Sequence, residues 1–183
     1  MLAGAAFPFM IMVIFSSTII LFASYDDLTV KLIATIGGEL LILAAVYIFG
    51  KNNGAAAYRK YVLGVRKRAL NSTDKKAIYK TGEYSLWKGI AIPLITVIPF
   101  VIFQIINIAA PNNFTYIMLL YMCGWAYYPF TFFDIAEAFN FILIILPVGA
   151  HLIGYVIGKI KEEKIQQQIA MESENVNKKK RKK

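Results

Sequence analysis

Two residues stand out as able to do chemistry inside otherwise apolar stretches. Glu39 lies near the middle of VKLIATIGGELLILAAVYIFG, just behind Gly37-Gly38, and His151, the only histidine, lies in FNFILIILPVGAHLIGYVIG. A carboxylate and an imidazole can exchange a proton, so a Glu39–His151 pair would make a proton path. Gln104 and Asn107, in GIAIPLITVIPFVIFQIINIAA, could only hydrogen-bond. A charge at the centre of an apolar helix costs roughly 2.5–3.5 kcal/mol on insertion scales, so such groups face other helices. No second carboxylate stands inside another apolar run. The favoured reading of Glu39 is therefore a protonated, hydrogen-bonded link between helices, worth about 0.6–2 kcal/mol.

The wider inventory argues against catalysis. One histidine and one cysteine, Cys123, exclude histidine dyads, disulfides within the chain and Cys- or His-rich metal sites. No phosphate-binding loop, HExxH or GxSxG motif occurs. A Ser16 or Ser17 nucleophile would have only Lys31 or His151 as a base, with no supporting motif. The expectation is a protein with no catalytic residue, no cofactor and no metal.

These residues must be positioned by long apolar helices. The chain has 183 residues, 58% of them hydrophobic, against about 45–50% in soluble domains. Runs of about 18 or more apolar residues are candidate spans, and four qualify, at about 5–24, 30–50, 89–110 and 139–158. The first is expected to stay in place rather than be cleaved as a signal peptide, since no basic residue precedes it and no small residue fits the cut. Gly50-Lys51-Asn52-Asn53-Gly54 reads as a helix stop and turn. Pro93 and Pro99 should kink the third span, leaving carbonyls for other helices to satisfy. Segment 114–133 is long enough to cross, but nine of its twenty residues are aromatic, and Gly124 and Pro129 interrupt it. Tyr and Trp prefer the headgroup level.

The charges test that segment. Ten of the twenty Lys/Arg fall in the loop 51–88 and nine in the tail 159–183. With the N-terminus inside, the loop is cytoplasmic, as the positive-inside rule asks. Five spans would put the tail outside. Four spans, with 114–133 re-entrant or interfacial, keep both blocks on one side. The expected fold is thus an all-α integral membrane protein with four transmembrane helices plus one re-entrant or interfacial segment, five spans being the alternative. Residues 1–158 form one membrane domain, and 159–183 a basic tail disordered at its end.

Within the loop, Tyr58, Tyr61, Val62, Val65 and Ala69 share a helical face, with Arg59, Lys60, Arg66, Lys67 and Arg68 largely elsewhere. This suggests a helix on the membrane surface. A second short helix should start near Ser72 or Thr73 and end near Gly82. The tail closes on Lys178, Lys179, Lys180, Arg181, Lys182 and Lys183. Such cations attract anionic headgroups, each contributing about 1 kcal/mol; an acidic membrane or cytosolic protein is another candidate partner. Nucleic acid or a ribosome would also fit the charge, with no motif in support. Gly154 and Gly158 form a GxxxG match and, with Gly37 and Gly38, allow close helix packing, within the chain more readily than between chains. The sequons at Asn71 and Asn113 are discounted, the first as cytoplasmic and the second as too near the membrane.

Thr81-Gly82-Glu83-Tyr84-Ser85-Leu86-Trp87-Lys88-Gly89 leading into Ile92-Pro93, together with Tyr58-Arg59-Lys60 and the basic tail, resembles small multi-pass membrane proteins of clostridia-type bacteria. That group has no assigned activity, so the resemblance implies a bacterial plasma-membrane location and nothing catalytic. The functional expectation is a non-enzymatic accessory or interaction subunit. The alternative is a small transporter or channel subunit using Glu39 and His151.

Overall fold

The computed structural model describes residues 2–23, 27–70, 84–132 and 140–181, with side chains described for all of these but 2–4, 23, 66–70, 127–132 and 174–181. Five helices follow in order: α1 (Leu2–Ala23), α2 (Leu28–Leu70), α3 (Leu86–Ala109), α4 (Asn113–Phe132) and α5 (Asn140–Arg181). There is no strand among the described residues. Four helices, α1, α2, α3 and α5, are long and apolar enough to cross a membrane. The surface agrees with that assignment. Ile33, Ile36, Leu40, Ile98, Ile102, Ile142 and Ile145 face outward, while Ser16, Thr35, Glu39, Gln104, Asn107, Asn140 and His151 are buried. This polar-in, apolar-out plan suits a lipid solvent.

Local chemistry explains where helices begin. Asp27 Oδ1 accepts the Thr29 N–H at 2.7 Å, capping α2. Asn112 Oδ1 accepts the Thr115 N–H at 2.9 Å, and the Thr115 hydroxyl in turn lies 3.2 Å from the Asn112 N–H, a reciprocal cap on α4.

The contacts give the directions. Ala5 and Phe9 of α1 meet Thr96 and Phe100 of α3, so α1 and α3 run parallel. Phe7 meets Phe49, and Ile19 meets Gly38, so α2 runs opposite to α1. Gly50, Gly54 and Arg59 of α2 meet His151, Tyr155 and Glu162 of α5 in the same order. Thus α2 and α5 are parallel. With four crossings, these directions close only if α4 begins and ends at the same end of the bundle. An α4 that crossed would make α5 antiparallel to α2.

α4 does not lie on the surface either. It breaks at Cys123, whose backbone is non-helical (φ −121°, ψ 15°). Leu119, Cys123 and Trp125 are fully buried, and Trp125 stands edge-on to Phe100 at 5.8 Å. It is a broken helix that dips into the bundle.

Three local expectations are overturned. Gly50–Gly54 does not end a helix: α2 continues unbroken for 43 residues, because those glycines seat it against α5. The tail is not disordered where it is described: α5 continues to Arg181. Its Lys, Glu, Gln and Ala are good helix formers, tied at i,i+4 by Lys159–Glu163 and Gln166–Glu162. The stretch 51–70 is accordingly not a separate surface helix, but the outer half of α2. The expected short helix near 72–82 lies outside the described residues. α3 remains one helix through Pro93 and Pro99.

Candidate functional site

Each proline or break in a buried helix frees a backbone carbonyl that must find another donor. Pro93 cannot donate to Gly89, four residues earlier. His151 Nδ1 lies 3.1 Å from that Gly89 oxygen, which makes Nδ1 the protonated nitrogen. Next to the break in α4, the Met122 carbonyl accepts the Ser16 hydroxyl at 3.1 Å. Thr96 donates toward both Ile92 and Ala5 carbonyls, at 3.0 and 3.3 Å. His151 and Ser16 are thus backbone clasps.

Glu39 is elsewhere. It lies eleven residues before Gly50, the residue that meets His151, so about 16 Å separates their levels at 1.5 Å per residue. Both Glu39 oxygens are buried without a hydrogen-bond partner among the described residues, as are the Asn140 amide and Trp125 Nε1. The α2–α5 register places Asn140 at the level of Glu39 or just beyond it toward the N-terminal end of α2. Gln104 and Asn107 are buried on α3. No cluster of three or more metal-binding side chains occurs among the described residues.

The glycines form the contact between α2 and α5. A Cβ on Gly50 or Gly54 would strike the carbonyl oxygens of His151 and Tyr155. One on Gly154 or Gly158 would strike those of Tyr47 and Lys51. Two GxxxG motifs therefore face each other, and backbone meets backbone. Gly38 packs on Ile19, while a Cβ at Gly37 would meet nothing within 4 Å.

Beyond Gly158 the pair continues as a rod. Arg59 donates from Nε and Nη2 to the two Glu162 oxygens at 3.0 and 2.8 Å, and Gln166 adds a third bond at 2.9 Å. Glu162 is only 3% exposed. The Arg59 hydrogen bond, helped by Gln166, holds its carboxyl below the ordinary range. Lys159 pairs with Glu163 and lies over the Tyr58 ring at 5.4 Å. Lys60 is exposed. Arg66, Lys67, Arg68 and Lys178–Arg181 fall on the described helices, but their side chains lie outside the described set, and Lys182 and Lys183 lie outside it altogether.

Sequence reasoning missed Glu162, and Gly50 and Gly54 it read as a turn. The signal for the glycines was their spacing, identical to Gly154–Gly158. Compared with known proteins, the chain matches no family model, no curated relative and no solved structure.

Proposed function

We propose that this multi-pass membrane protein is a non-enzymatic accessory or interaction subunit of the bacterial plasma membrane, with its N-terminus, basic rod and tail in the cytoplasm. The observation that carries the reading is the parallel pairing of α2 and α5, which brings both basic blocks to one end of the bundle. From Lys159 to Arg181 the helix extends about 33 Å at 1.5 Å per residue, a distance that takes the terminal cations away from the bilayer. The foot of the rod meets anionic headgroups, and its far end meets an acidic partner. Purification of the full-length protein from its native membrane tests this. A stoichiometric partner should be lost when Arg66, Lys67 and Arg68 are changed to Glu, with insertion unchanged. Retention of the partner by that variant would contradict the reading.

A second reading has one observation in its favour. Glu39 and Asn140 are buried with polar atoms unpartnered among the described residues, in a bundle that contains a broken helix, the arrangement found around ion or proton sites. It would use Glu39 without His151, which is engaged with Gly89. A pH-dependent flux in proteoliposomes, abolished by Glu39→Gln in a folded variant, would favour it; unchanged flux would remove it.

A further inference from the structure

At the foot of the rod, α2, α3 and α5 enclose an open cleft of about 290 Å³. Lys60 and Asn53 come from α2, Lys88 and Ile92 from α3, and Tyr155 from α5. The cleft has two cations on different helices and no acid among the described residues of its lining. The nearby acids of the rod, Glu162 and Glu163, are engaged by Arg59 and Lys159. Tyr155 is 1% exposed and stacks on Tyr84 at 5.5 Å. Its hydroxyl is approached by the Ser85 N–H without a hydrogen bond of good geometry, and so is buried unsatisfied. Beside it, α3 begins with no side-chain cap from Ser85; the Lys88 N–H bonds the Ser85 carbonyl at 3.0 Å, and the positive end of the helix dipole lies there.

Depth identifies the occupant. Trp87, next to Lys88, is 75% exposed, and an exposed tryptophan at the edge of an apolar run marks the headgroup level. Asn53 lies three residues and Lys60 ten residues past Gly50, where the apolar run of α2 ends, and Ile92 continues the cleft wall into the apolar run of α3. A group held here has its negative part between two lysines and its apolar part along Ile92. We propose that this cleft binds the phosphate of an anionic glycerophospholipid of the adjacent leaflet. The inference deepens the lipid half of the proposed function and rests on it. A zwitterionic headgroup finds no carboxylate for its cation among the described residues that line the cleft.

Native mass spectrometry of the detergent-solubilised full chain, titrated with dioleoylphosphatidylglycerol or dioleoylphosphatidylcholine, tests the assignment. The wild type should retain the glycerol lipid in strong preference, and 20 mM inorganic phosphate should not displace it. The variant Lys60→Gln/Lys88→Gln should lose roughly 30-fold in that preference, two surface charges' worth. Lys161→Gln/Lys164→Gln, on the rod, should keep it. If the rod variant loses as much as the cleft variant, a diffuse basic surface holds the lipid and the cleft assignment falls, though the basic end still meets lipid. If the wild type does not discriminate the two lipids, both fall. Displacement by inorganic phosphate would make the site one for free anion and also overturn it. A measurement on the wild type needs no variant: brominated phosphatidylglycerol should quench the exposed Trp87 more than brominated phosphatidylcholine, and equal quenching would contradict the site.

Discussion

The α2–α5 pair is held by different chemistry in its two halves. Within the apolar bundle the contact is four glycines that let backbone touch backbone. Lipid is as apolar as any side chain there, so association depends on close packing rather than on hiding oily surface. In the rod, the contact is the Arg59–Glu162 fork, with Lys159 over Tyr58. Water is present to solvate whatever is left over. The comparison teaches that one continuous helix pair can serve as a membrane anchor and as a polar arm without a hinge between them. It also predicts that the two halves respond to substitution on different scales.

The largest effect should come from filling the glycine contact. Gly54→Leu or Gly158→Leu would drive a side chain into the Tyr155 or Lys51 carbonyl and should destabilise by about 3 kcal/mol or more, since overpacking against backbone has no side-chain escape. Thermal unfolding in detergent reads this. Gly37→Ala should be neutral or slightly stabilising by about 0.5 kcal/mol, because nothing lies within reach of its added methyl.

Next is the clasp at the proline. His151→Leu leaves the Gly89 carbonyl without its donor and should destabilise by about 1–3 kcal/mol. Pro93→Ala restores an amide that can bond Gly89, so in the Pro93→Ala background the same change should be milder. A double-mutant cycle on melting measures that coupling. Ser16→Ala, which releases Met122 at the break in α4, should have a smaller effect, about 0.6–1.7 kcal/mol.

The rod should be the least sensitive and the one that responds to acid. Glu162 is held below its ordinary value of 4.5 by Arg59 and Gln166. Its stabilising contribution is therefore complete above that value and is lost as pH falls through the lowered one. Hydrogen exchange of residues 55–65 and 159–170 should rise over that acidic window in the wild type, beyond the rate change of the chemistry itself. Arg59→Gln should raise exchange at neutral pH and flatten the acid response. The glycine contact should show no such window.

Much of the plan was legible because it depends on bulk properties. Apolar run length marked the four candidate spans, and the mass of aromatics with Gly124 and Pro129 marked 114–133 as the odd segment. What was not legible depends on partners distant in sequence. Gly50-Lys51-Asn52-Asn53-Gly54 carries every local signal of a helix end, yet close contact with α5 outweighs those signals. His151 looks like half of a proton pair until Pro93 is seen to strip a donor from Gly89. Glu162 looks like a charge that merely dilutes its lysine neighbours until Arg59 is placed across from it. Glu39 is buried, but the hydrogen-bonded link expected of it is not seen: its oxygens face no donor among the described residues, which depends on the neighbouring helices.

The account depends most on α2 and α5 running in the same direction, which puts both basic blocks at one end. Single cysteines placed within residues 71–83 and after Lys183, in a Cys123→Ala background, can be probed in intact and permeabilised cells with a membrane-impermeant maleimide. The account predicts that both are protected in intact cells and both react after permeabilisation. Reaction of one from outside while the other stays protected would put the two blocks on opposite sides, and would contradict the parallel pairing and the dipping α4 together.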